Sequence, residues 1–108
     1  MIRRPARFAE LVARQLDLFT ADEADLLDEA ELALEAWRDS DRDGAEEAYG
    51  DYQLVVDAIA DRLLELREAY AATLTEDADG EYRRAFAREG GRRFRRHASI
   101  VADLAAEL

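Results

Sequence analysis

Asp39, Asp41, Asp43 and Gly44 stand at positions 1, 3, 5 and 6 of an EF-hand calcium loop, the most suggestive spacing of oxygen ligands in the chain. The match then fails. Position 8, normally apolar, is Glu46, and position 12, where a bidentate Glu should close the coordination shell, is Gly50. An acidic interhelix loop, with Asp43 and Glu46 as a capping pattern, accounts for the same residues. Asp57, Asp61 and Glu65 have the helical spacing of di-iron carboxylates, but such sites also need inward Glu-x-x-His pairs. The single histidine, His97, follows Phe94 by three residues, so the pair is missing. On a helical wheel His97 falls among Phe86, Phe94, Val101 and Leu104, the setting of a packed histidine that hydrogen-bonds a neighbour and titrates between about pH 5 and 8. Ser99 lies on another face and offers it no nucleophile to activate. There is no Gly-rich phosphate loop, dinucleotide fingerprint or nucleophile elbow. These residues predict a protein that is not an enzyme and holds neither a metal nor a cofactor, with no small-molecule substrate in evidence.

Charge is unevenly distributed. Residues 17–47 hold thirteen acids and two arginines, a net of -11, whereas residues 83–96 hold seven arginines and one acid, a net of +6. If the last segment is helical throughout, Arg84, Arg88, Arg92, Arg95 and Arg96 share the face opposite its apolar stripe. Guanidinium forks there suit phosphates. Tyr82, Phe86 and Phe94 are spaced for the core instead of alternating with the arginines as stacking platforms, which favours a solvated face. On that reading the arginines are partly neutralised by the acidic second helix or by a second copy of the chain.

Several classes are excluded by composition. The 108 residues fit one domain, 1–108, with one core. A formal charge of -11 disfavours general attraction to nucleic acid or anionic lipid. The absence of cysteine removes disulfides, thiolate nucleophiles and Cys-based zinc sites, and fits a reducing, cytoplasmic setting. Arg7 and Glu10 interrupt the apolar run a signal peptide would need after Met1-Ile2-Arg3-Arg4-Pro5. No apolar run approaches the roughly 20 residues that span a bilayer. All 15 basic residues are arginine, in keeping with a GC-rich genome or with a halophile.

With one proline and five glycines, breakers are few and no strand-like alternation occurs. The expected fold is all-α: a compact antiparallel bundle of four to five helices around one long central helix. Pro5 suits a first helical position, opening a helix over 5–19. Thr20-Ala21-Asp22-Glu23 reads as a capping box that starts a second helix over 21–38. The third helix spans 44–74, and the fourth segment spans 81–108 with a kink or break at Gly90-Gly91, where two glycines cost roughly 2 kcal/mol relative to alanines. In the third helix Tyr49, Tyr52, Val56, Ile59, Leu63, Leu66 and Tyr70 recur at spacings of three and four. The flanking heptad positions contain Ala48, Val55, Ala60, Ala69 and Leu74 and no acid, so the helix reads as buried in a bundle and not as a two-stranded coil. About 46 Å of helix exceeds the roughly 35 Å breadth of a compact domain this size. The excess predicts a bend at Gly50 or an end that meets a partner.

The stretches Pro5-Ala6-Arg7-Phe8-Ala9-Glu10-Leu11 and Tyr49-Gly50-Asp51-Tyr52-Gln53-Leu54-Val55-Val56-Asp57 resemble those of small uncharacterised all-helical proteins of high-GC actinobacteria. The resemblance implies a cytoplasmic bacterial protein and carries no catalytic or ligand motif. The residues and the resemblance together predict a non-enzymatic interaction or structural module. Its expected partner is a protein or a second copy of the chain. Nucleic acid, gripped through Arg84, Arg88, Arg92, Arg95 and Arg96, is the alternative partner, and a membrane is not expected.

Overall fold

The computed structural model describes residues 7–108, which form α1 (Ala9–Asp22), α2 (Ala24–Arg38), α3 (Ala45–Ala71), α4 (Glu76–Arg93) and α5 (Ala98–Ala105), with no strand among them. The fold is all-α. Pro5, expected to open the first helix, lies outside the described residues. The hydrogen-bonded turns of α1 begin after Phe8, which adopts a left-handed conformation at φ 72°.

The central element is α3, which packs against α2, α4 and α5, while α1 covers α4 and touches α2. The three-and-four spacing dictates its buried face. Tyr52, Val56, Ile59 and Leu63 are buried and Leu66 and Tyr70 are half-buried, but Tyr49 is 45% exposed. A repeat averaging 3.5 residues drifts about 20° per heptad around a 3.6-residue helix. The buried stripe therefore moves onto Ala60, Arg67 and Ala71 towards the C-terminal end, leaving Tyr49 at the edge. Asp51, Asp57, Asp61, Glu65 and Glu68 face water as the wheel predicts. The helix runs through Gly50 without interruption, and its 27 residues span about 40 Å. The molecule is accordingly elongated, 53 × 31 × 24 Å with a radius of gyration of 15.9 Å, against about 13 Å for a rounder chain of this length.

Three boundaries differ from the sequence expectation, each for a local reason. The capping box at Thr20 does not form, because the Thr20 hydroxyl donates to the Leu16 carbonyl (2.7 Å) within α1. Helix α1 therefore continues to Asp22 and α2 follows after Glu23 alone, whose carboxylate pairs with Arg62 of α3. The acidic stretch Thr75–Gly80 is not a loop but mostly the first turn of α4, where Glu76, Asp77 and Asp79 meet the positive end of the helix dipole. Nor does the chain break at Gly90-Gly91. It turns at Phe94–His97, after α4 has passed both glycines. Gly90 is there for close approach. A Cβ on it would lie 2.5 Å from Leu104 Cδ1, so the missing side chain lets α5 fold back against α4.

Candidate functional site

Sequence spacing puts Arg84, Arg88 and Arg92 on one face of α4, and the structure exposes all three. Arg95 and Arg96 leave that helix for the turn before α5 and are exposed there. The five arginines do not form one continuous surface. Arg92 is held by Glu89 one turn earlier (2.5 Å), and Arg96 reaches α2, where its Nη1 lies 2.8 Å from Glu31 Oε2. Neutralisation by the acidic helix is thus realised for Arg96. Arg93 and Arg83 are clamped too, by Asp17 and Glu89 and by Glu68 and Asp79 respectively. The paired guanidiniums of Arg92 and Arg93 hold the Glu89 carboxyl down at about 2. Among the described residues Arg84, Arg88 and Arg95 have no acidic partner within 4 Å. Arg84 and Arg88 line a small cleft with Arg7 and Glu81.

His97 occupies the other polar constellation. It is buried, as its wheel position predicts, and both ring nitrogens are engaged: Nε2 is 3.3 Å from Glu31 Oε1 and Nδ1 is 2.6 Å from the Tyr52 hydroxyl. An ionised carboxylate only accepts, so Nε2 carries the proton of the neutral ring and Nδ1 accepts from Tyr52. Burial pushes the His97 pKa down against the pull of Glu31, and burial together with Glu31 pushes the Tyr52 phenol up. Trp37 stacks on the Tyr52 ring with centroids 5.8 Å apart. The cluster joins α2, α3 and the α4–α5 turn. It ties these elements together through the buried Tyr52 hydrogen bond and the Glu31 contact.

At the expected calcium loop, Asp41 Oδ1 accepts the Gly44 N–H at 2.9 Å, the bond of a turn. Asp43 makes no side-chain cap on α3. Among the described residues no group of three or more His, Cys, Asp or Glu side chains is disposed to hold a metal ion, and no helix is long and apolar enough to cross a membrane.

A third feature escaped the sequence reading. Leu32 on α2 and Leu54 on α3 are 67% and 72% exposed, and both line one open groove of about 490 Å³ with Ala33, Ala36, Ala48 and Val55. Glu29 and Asp51 stand at its rim. Neither leucine belongs to the periodic apolar face of its helix. A large aliphatic residue on the wet side, flanked by acids, was the signal that could have revealed the groove.

Comparison of the chain with protein-family models, with curated proteins and with solved structures finds no match.

Proposed function

We propose that the protein is a non-enzymatic helical interaction module that engages another protein through the groove between α2 and α3. The observation that carries this reading is the pair Leu32 and Leu54, two large apolar side chains left in water beside a floor of alanine and valine. Isolated exposed leucines are ordinary, but two lining one concave strip with alanine and valine offer a partner a contiguous apolar surface. A cysteine-free composition supports a cytoplasmic setting.

A second reading, phosphate or nucleic-acid binding, is favoured by Arg84 and Arg88, which share a cleft and lack acidic partners among the described residues. It ranks below the first because Arg92 and Arg96 are already paired and the chain carries a formal charge of -11.

Selection from a displayed library of helical peptides, followed by mobility and sedimentation measurements with DNA and RNA at several salt concentrations, separates the two. The module reading predicts convergent peptide binders and no retardation of nucleic acid. Nucleic-acid binding that weakens steeply with salt and is abolished by Arg84→Glu with Arg88→Glu, without any peptide enrichment, would overturn it.

A further inference from the structure

We infer that the α2–α3 groove accepts a cationic amphipathic helix from another protein. This rests on the module reading above and names its partner class. Around Leu32 the exposed acidic positions of α2 are Asp25, Asp28, Glu29 and Glu35, and around Leu54 those of α3 are Glu47, Asp51, Asp57 and Asp61. Among the described residues none of these eight carboxylates has an arginine within 4 Å. Asp17, Glu23, Glu31, Glu68, Asp79, Glu81 and Glu89, by contrast, each hold an arginine. Unneutralised carboxylates, with Glu29 and Asp51 in the groove lining itself, thus flank both exposed leucines.

That combination specifies an occupant. An apolar stripe fills the groove, and basic residues on both sides of the stripe meet the acidic rims, the helix-in-groove mode of recognition with opposite charges fixing register. A second copy of this chain fits poorly. Among the described residues, the basic face of α4 that carries Arg84 and Arg88 has Gly80, Ala87 and Gly91 as its neighbours within one turn and no large apolar side chain to seat between Leu32 and Leu54. An anionic membrane is repelled by the same carboxylates.

The test uses the full chain and three synthetic helical peptides of about 18 residues: a Leu/Lys amphipath, its Leu/Glu counterpart, and a Gln/Lys version that keeps the charge without the leucines. Binding is measured by calorimetry, and the site is mapped by amide chemical-shift changes. The Leu/Lys peptide is expected to bind, with shifts centred on Leu32, Ala36, Ala48 and Leu54, and to weaken as salt rises through the range where screening shortens to a few ångströms. Each of Leu32→Gln and Leu54→Gln is expected to weaken binding about tenfold or more, since burying one leucine is worth that factor. Both positions are exposed, and unchanged urea denaturation of the variants verifies that the fold is intact. Equal binding of the Gln/Lys peptide, preference for the Leu/Glu peptide, or shifts mapping elsewhere would each overturn the inference. So would a concentration-dependent dimer abolished by the leucine variants, which would make the occupant a second copy. If library selection yields convergent binders without basic residues, the module reading stands and this inference alone fails; if it yields none, both fail.

Discussion

The Tyr52 hydroxyl lies 2.6 Å from Nδ1 of His97, a buried hydrogen bond between the centre of α3 and the turn that joins α4 to α5. Forty-five residues separate the two in sequence, so the bond exists only when both halves of the bundle have assembled. Removing the hydroxyl with Tyr52→Phe keeps the ring and its stack on Trp37 but leaves a buried nitrogen without a donor. Unfolding in urea is expected to show a loss of about 1–3 kcal/mol. A variant as stable as the parent would mean that water or another group replaces the phenol.

His97 also sets a pH dependence. Its folded pKa lies below the ordinary 6.5 because burial disfavours the imidazolium, with Glu31 opposing and Arg96 and Arg38 assisting the shift. The unfolded chain then binds more protons than the folded one just below 6.5, so stability is complete above that value and declines as pH falls through 6.5 towards the folded pKa. Glu89, lowered from 4.5 to about 2, adds a second decline below 4.5. A series of melting temperatures from about pH 8 to pH 3 should show both steps. His97→Gln should flatten the upper step and leave the lower one.

Gly90 and Gly91, adjacent in α4, should respond oppositely to alanine. At Gly90 the new Cβ would sit 2.5 Å from Leu104 Cδ1, and Leu104 is fully buried, so overpacking of about 1–3 kcal/mol outweighs the helix-propensity gain. At Gly91 the nearest atom is Val101 Cγ1 at 3.7 Å, an ordinary contact, so Gly91→Ala should be neutral or stabilising by up to about 1 kcal/mol. Gly50→Ala, with nothing within 4 Å, should stabilise similarly. Thermal unfolding of the three variants reads the signs directly.

In the core, Ile59 and Leu63 are fully buried on α3. Replacing either with alanine should cost about 2–5 kcal/mol in chemical denaturation, the range for cavities left by large aliphatic side chains.

The helical class, the burial of Tyr52, Val56, Ile59 and Leu63, and the packed setting of His97 were legible in the sequence, because periodicity reports which face meets the core. Local chemistry was a poorer guide where tertiary contacts compete with it. Thr20 caps nothing because the Leu16 carbonyl is nearer, and Gly90 does not break α4 because Leu104 packs into the space it leaves. The partner of His97 was illegible because Tyr52 is distant in sequence. Leu32 and Leu54 were overlooked because a periodic reading discards apolar residues that fall off the stripe, and only the juxtaposition of α2 and α3 puts those two beside one another.

Under the proposed function the leucine groove, and not the arginine face, is the contact surface. Calorimetry with one library-selected peptide, comparing the Leu32→Gln, Leu54→Gln double variant with the Arg84→Glu, Arg88→Glu double variant, tests it most directly. Binding should fall about 100-fold in the first and change less than about threefold in the second. The reverse pattern, full affinity without the leucines and loss without the arginines, would contradict it.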